Sequence, residues 1–161
     1  MTAHADQTAA ELARPEAQEL LRREPLARLA YTGLDGTPRV IPIGFLWTRG
    51  RIVVCTSDTA PKVRALAARP PVALTIDGPG AAQTLQLRGE AGIEIVDGIP
   101  PEYLASSFKS MPDEDQRRQF EASVRATYER MARISIEPRW ARFYDFGAGR
   151  LPGFLTKLVS G

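Results

Sequence analysis

The sequence contains very little cysteine or histidine: Cys55 and His4 are the single examples in 161 residues. One cysteine excludes a disulfide within the chain, and one histidine leaves too few ligands for a Cys/His zinc site. No run approaches the roughly 18 consecutive apolar residues of a transmembrane helix. The N-terminal residues also lack the basic and apolar regions of a secretory signal. These absences predict a cytoplasmic protein with no bound metal and no membrane association.

Neither positive nor negative charge is in large excess. The formal net charge is +2, with 21 basic and 19 acidic residues interleaved along the chain. A nucleic-acid-binding protein usually collects its basic residues on one face or along one helix, so nucleic acid is not a predicted partner. Lysine is scarce, since only Lys62, Lys109 and Lys157 accompany eighteen arginines.

What the sequence does contain is a series of short apolar runs separated by turn signals such as Asp35-Gly36 and Arg49-Gly50. Their alternation and β-branched content predict strands at 26–32, 39–47, 51–56, 72–76, 84–96, 133–137 and 139–146. Helices are predicted at 11–23 and 60–69, and a helical pair is predicted before the last strands. Tight turns between consecutive strands favour an antiparallel sheet, and a sheet of six or seven such strands avoids open edges by closing into a barrel.

One domain is therefore predicted, over residues 11–146. A disordered tail is predicted at 1–10 and a C-terminal tail at 147–161. The predicted class is mainly β, with helices at the periphery.

A group of polar residues lies where the third strand ends and the next helix begins. Thr56 and Ser57 supply hydroxyl groups, and Lys62 and Arg64 supply positive charge near a helix N-terminus. Hydroxyls, cations and free helix N–H groups are the donors that bind phosphate. Arg39, on the preceding strand, would reach the same anion if the two strands pair around the turn at 48–50. The pattern predicts a phosphate site.

A simpler interpretation of these residues stays open. Cations in the first turn of a helix are commonly solvated, and Asp58 or Thr59 would serve as an ordinary helix cap. Asp58 would also place a negative charge near the predicted phosphate.

Four segments, PRVIPIGFLW, IVVCTS, PKVRALAARPPVALTID and LQLRGEAGIEI, together resemble the pyridoxamine 5′-phosphate oxidase-like superfamily of flavin-binding split barrels. The resemblance covers residues 26–97 and, more loosely, 133–146. It implies a six-stranded antiparallel split β-barrel and a homodimer with two cofactor sites at its interface. It also implies an FMN-dependent oxidoreductase that transfers hydride to or from a small organic substrate.

The resemblance assigns cofactor contacts by position. Those near the phosphate and its ribityl arm are Arg39, Val40, Ile41, Thr56, Ser57 and Lys62. Those implied near the ring or in the partner's site are Thr84, Trp140 and Arg142. It identifies no catalytic acid or base.

Two departures narrow the function. Pro61 stands where the oxidase has an arginine before the phosphate lysine, and no C-terminal Arg and His pair is present, since His4 is the single histidine. Oxidation of pyridoxamine phosphate is therefore not expected. A deazaflavin, coenzyme F420, is the alternative cofactor, with Arg64, Arg69 or Arg88 facing its acidic tail. A non-catalytic flavin- or tetrapyrrole-binding protein is the second alternative.

Overall fold

The structure, a computed structural model, describes residues 3–159. The helices are α1 (Ala3–Leu12), α2 (Pro15–Arg23), α3 (Pro61–Ala68), α4 (Pro101–Phe108), α5 (Glu114–Thr127) and α6 (Gly153–Val159). The strands are β1 (Leu26–Thr32), β2 (Pro38–Gly44), β3 (Leu46–Thr48), β4 (Arg51–Ser57), β5 (Pro71–Asp77), β6 (Gln83–Asp97) and β7 (Arg130–Asp145). No helix in this range is long and apolar enough to cross a membrane.

All seven strands form one antiparallel sheet in the order β2-β1-β5-β6-β7-β4-β3. The predicted mainly β class with peripheral helices is confirmed. The strand count is seven rather than the implied six, because the strand predicted at 39–47 is interrupted between Gly44 and Leu46 and forms β2 and β3. The short β3 continues only as the hairpin partner of β4, with Leu46 opposite Val53 as the last pair.

The long strand β7 replaces the two strands predicted at 133–137 and 139–146. Pro138 suggested a break, but a register shift between Arg88 and Gly89 on β6 lets β7 continue past it. A Cβ built on Gly89 would lie 2.4 Å from the carbonyl oxygen of Glu137, so only glycine permits this close approach.

The core fills the inside of the curled sheet. Alternate residues of β6 and β7 point inward, including Leu85, Leu87, Ile134 and Ile136. Helix α2 closes the core with Ala17, Leu20 and Leu21, which share one helical face and are fully buried. A second apolar cluster lies under α4 and α5 and consists of Ile99, Leu104, Val124 and Met131.

The N-terminal region differs from the predicted disordered tail. Within the described residues it forms α1, which lies along β7. Glu11, only 5% exposed, accepts a hydrogen bond from the Phe143 N–H at 2.7 Å and another from Arg150. Thr8 donates to the Arg139 carbonyl at 3.3 Å. These contacts join residues more than 130 positions apart, which local patterns do not reveal. Within the C-terminal segment at 147–161, predicted as a tail, residues Gly153–Val159 form α6.

Candidate functional site

The end of β4 and the start of α3 bring together the central residues of the predicted phosphate site. The Lys62 ammonium donates to the Thr56 hydroxyl at 3.4 Å. The turn between them is closed by a hydrogen bond from the Ala60 N–H to the Ser57 carbonyl at 3.1 Å. Pro61 begins the helix, where its fixed φ suits the first turn. Two hydroxyls and one ammonium therefore surround the beginning of α3.

The N-terminus of α3 has no side-chain cap. Its N-cap residue is Ala60, so the predicted capping by Asp58 or Thr59 was wrong. Asp58 instead forms an ion pair with Arg130 at 3.0 Å, and the Thr59 hydroxyl lies 2.9 Å from the Ser57 hydroxyl. The Asp58 charge is thus balanced by Arg130, and among residues 3–159 no side chain caps the N-terminus of α3, the positive end of its dipole, by a hydrogen bond. Both features favour an anion at this position.

Arg39 lies in the β1–β2 hairpin and is occupied there. Its guanidinium donates to the Asp35 carboxylate at 2.8 Å and also to the Thr37 hydroxyl. The Thr37 N–H, followed by Arg39, holds the pKa of Asp35 well below its usual value. The pairing around the turn at 48–50, on which the predicted reach of Arg39 depended, involves β3 and β4, whereas β2 pairs with β1.

Helix α3 separates Lys62 from two arginines at its other end. Arg69, the C-cap residue, donates to the Gly33 carbonyl at 2.8 Å and to the Leu34 carbonyl at 3.2 Å. A Cβ built on Gly33 would lie 3.1 Å from the Arg39 guanidinium carbon, so Arg39 is close to the same turn. Seven residues of helix separate the Cα atoms of Lys62 and Arg69 by about 10 Å. Lys62 and Arg69 therefore lie along one face of α3, whereas the exposed Arg64 projects from the opposite face.

The other predicted residues of β2 face opposite sides of the sheet. Val40 points outward and is 68% exposed, whereas Ile41 packs against the core. This alternation means that only their backbones run along one line.

Thr84 and Trp140 do not join Lys62 within one chain. Thr56 pairs with Ala132 on β7, and Trp140 lies eight residues further along that strand, which is roughly 25 Å. Thr84 pairs with Tyr144, beyond Trp140, and its hydroxyl donates to the Asp77 carboxylate at 2.6 Å. The Trp140 ring stacks with the Arg88 guanidinium at 4.2 Å.

Arg142 also lies on this far half of β7. It forms an ion pair with the buried Glu11 at 3.7 Å. Like Trp140, it lies far along β7 from the level of Lys62 in the same chain.

The Cys55 thiol has low reactivity. Burial, with the charge of Glu102, raises the pKa of its thiol to about 12. The thiol stays protonated and is a poor nucleophile. Among residues 3–159 no group of His, Cys, Asp and Glu side chains is arranged to hold a metal ion.

Sequence reasoning missed Asp35 and Arg130, the two residues that control charge at this site. Asp35 was interpreted only as a turn residue, although its position four residues before Arg39 was a usable signal. Arg130 pairs with Asp58 across 72 positions of chain, and no local pattern indicates that contact.

An antiparallel split barrel with a phosphate-type donor set at the start of α3 defines a class of cofactor-binding folds. The sequence profile of the pyridoxamine 5′-phosphate oxidase family matches residues 13–137. Because the match spans most of the chain, the protein belongs to this family. No curated protein matches the chain in sequence.

Solved structures share the fold at low identity. An F420 reductase is 22% identical, with a TM-score of 0.55, over 80% of this chain and 98% of its own. A conserved hypothetical protein of Mycobacterium tuberculosis is 21% identical, with a TM-score of 0.63, over 89% and 92%. The haem storage protein HutZ of Vibrio cholerae is 15% identical, with a TM-score of 0.58, over 82% and 93%. At these identities the likeness concerns the fold alone.

Proposed function

We propose that the protein is a flavin-dependent oxidoreductase that binds FMN at the interface of a homodimer and acts on a small organic substrate. The observation that carries the proposal is the Lys62–Thr56 hydrogen bond at the uncapped start of α3. Membership of the pyridoxamine 5′-phosphate oxidase family supports it.

The residues present fit the phosphate of FMN. An ammonium, two hydroxyls and the N–H groups of a helix N-terminus are the donors that a phosphate monoester requires. The negative charge of Asp58 does not oppose the phosphate, because Arg130 neutralises it. Arg39 lies at the other end of α3, beside Arg69, and once released by Asp35 it would contact the cofactor away from the Lys62 donors.

When bound, the flavin supplies the hydride chemistry, and the chain holds and orients it. Lys62, Thr56 and Ser57 would hold the phosphate, and the backbone of Val40 and Ile41 would contact the ribityl arm. Arg64, on the opposite face of α3 from Lys62, would add only longer-range positive charge. No catalytic acid or base is assigned.

The positions of Thr84 and Trp140 support the proposed homodimer. Both lie at the far half of β6 and β7 from Lys62, so in such a dimer they would contact the ring of the cofactor held by the partner subunit. The exposed Val40 supplies apolar surface for that contact.

Coenzyme F420 is the second candidate cofactor, favoured by the F420 reductase among the structural relatives. Its phosphate would use the same donors, and its acidic tail would face Arg64, Arg69 or Arg88. A non-catalytic flavin or tetrapyrrole binder is the third candidate, as the haem storage relative suggests. Histidine ligation is then restricted to His4, on the exposed face of α1.

The absorbance spectrum of the purified protein discriminates these candidates. A two-banded yellow spectrum is expected for FMN, and a single visible band after addition of coenzyme F420 would favour the alternative. A Soret band after addition of haem, without flavin binding, would favour the tetrapyrrole binder. Failure to bind either FMN or coenzyme F420 at micromolar concentration would exclude the oxidoreductase.

A further inference from the structure

A cavity of about 340 Å³ lies between α2, β3 and the end of α4. It shares no lining residue with the Lys62 site, and Trp47 on its wall pairs with Ile52, at the other end of β4 from Thr56. Much of its wall is apolar, from Pro15, Leu21, Leu46 and Trp47. Its volume and its walls are those of a site for a small molecule.

The side chain of Lys109 forms part of the wall of this cavity. Its ammonium donates to the Leu21 and Glu24 carbonyls, each at 3.1 Å, and lies 3.9 Å from the centre of the Phe45 ring. An ammonium has three N–H groups, so these two carbonyls leave one for another acceptor. The Glu24 carboxylate pairs with Arg23 at 3.4 Å, and within residues 3–159 Lys109 forms no ion pair.

The charges around the cavity favour an anion. Its charged lining residues are Lys109, Arg22 and Glu19, which sum to +1. Glu19 is already held by Arg22 through hydrogen bonds of 2.6 and 3.1 Å. Burial lowers the pKa of Lys109 to about 8, although the negative charge of Glu24 acts to raise it. A half-buried ammonium without a carboxylate partner gains stability when an anion binds beside it.

We propose that this cavity binds a small carboxylic acid with an aromatic or apolar body. The carboxylate accepts the third hydrogen bond of Lys109, and the body packs against Trp47 and Leu46. The inference does not depend on any cofactor, because the cavity is separate from the Lys62 site.

Nuclear magnetic resonance on the protein without added cofactor tests the proposal directly. The chain has three lysines and two tryptophans, so lysine Cε labelling and the indole N–H signals give few, assignable resonances. The probe is 2-naphthoate, and its neutral analogue 2-naphthylmethanol is the control. We expect 2-naphthoate to shift the resonances of Lys109 and Trp47 until the site is saturated, while the resonances of Lys157 and Trp140 stay unchanged.

The same labels report the pKa of Lys109. If the carboxylate binds the charged form about tenfold more tightly, the pKa of Lys109 rises by about one unit on binding. Affinity for 2-naphthoate then falls as the pH rises through 8, because the ammonium is lost. Equal binding of the neutral alcohol, or an unchanged Lys109 pKa at saturation, would overturn the proposal.

Variants separate the charge from the cavity. Lys109→Gln is expected to weaken 2-naphthoate binding about tenfold or more, whereas Lys157→Gln is expected to have no effect. Leu46→Phe narrows the cavity without removing a hydrogen bond of Lys109, and should weaken binding even if Lys109→Gln fails to fold. Absence of any shift at Lys109 and Trp47 in 10 mM probe, or equal binding by the Leu46→Phe variant, would contradict the proposal.

Discussion

At the scale of single residues, cofactor binding is expected to depend most on the Lys62 ammonium. Its hydrogen bond to Thr56 places it beside the start of α3, where a phosphate would accept a charge-assisted bond. Lys62→Ala should therefore weaken FMN binding by about 1.5–3 kcal/mol, measured by fluorescence titration. Lys157→Ala, the same change on α6, is the matched control. An unchanged affinity would identify Lys62 as an ordinary surface cation.

A second residue, Asp35, is expected to restrain cofactor binding. Its carboxylate holds Arg39 in the hairpin, in competition with the cofactor. Asp35→Asn keeps an acceptor for the Thr37 N–H but removes the charge, so Arg39 is released. FMN affinity should then rise, by up to about fivefold because exposed ion pairs are weak.

The control for Asp35 is a double-mutant comparison. In an Arg39→Ala background, Asp35→Asn should leave FMN affinity unchanged. A gain that persists without Arg39 would mean that Asp35 acts by general repulsion of the anion. The Arg39 pairing would then not be the cause.

At the scale of elements, the buried carboxylate of Glu11 is the main polar contact between α1 and β7, beside the Thr8 hydrogen bond. Burial by itself would raise the pKa of Glu11, but hydrogen bonds from Arg150 and from the Phe143 N–H lower it below its usual value. Glu11→Gln should reduce the free energy of unfolding by about 1–3 kcal/mol at neutral pH, because the buried carboxylate loses its charge-assisted hydrogen bond with Arg150. Glu16→Gln, exposed on α2, is the control, and both are compared by denaturant unfolding.

The pH dependence gives the sign of the Glu11 contribution. Because its pKa is lower in the folded state, its stabilisation is fully present above the ordinary glutamate value of 4.5 and is lost as the pH falls through the folded pKa. The stability difference between the wild type and Glu11→Gln should therefore shrink on acidification. A difference that stays constant down to that range would show that the Glu11 charge contributes nothing.

The elements that the sequence predicts well are those that local patterns determine. Strand β1 has the predicted bounds, because alternating residues and the Asp35-Gly36 turn both lie within ten positions. Helix α1 was missed because Glu11 finds Phe143 only in the folded chain. The strand break expected at Pro138 did not occur because Gly89, on another strand, accommodates it.

The same distinction applies to the candidate site. Thr56, Ser57 and Lys62 lie within seven positions, and their proximity follows from a strand, a turn and a helix in sequence. The Asp58–Arg130 ion pair depends on the pairing of β4 with β7, which local patterns left open, whereas the Asp35–Arg39 pair lies within one hairpin and could have been predicted.

At the scale of the whole molecule, the proposed homodimer links assembly to cofactor binding. Val40 is exposed on the outer face of β2, next to the strand positions assigned to the cofactor. Val40→Asp should leave the fold intact, because the side chain is 68% exposed, but should place an unpaired charge in the interface. We expect sedimentation analysis to show monomers at concentrations where the wild type is a dimer. Leu158→Asp, at a residue 75% exposed on α6, is the matched control.

Loss of the dimer should also weaken FMN binding, even though Lys62, Thr56 and Ser57 are untouched in the Val40→Asp variant. The reason is geometric: Trp140 lies roughly 25 Å along β7 from the level of Lys62 in its own chain, so in the proposed dimer it would contact the ring bound by the partner subunit. Trp140→Ala should therefore weaken FMN binding by the dimer but have no effect on FMN binding by the Val40→Asp monomer. If the monomer binds FMN as tightly as the wild type, the cofactor lies within one subunit, and Trp140 contacts something else.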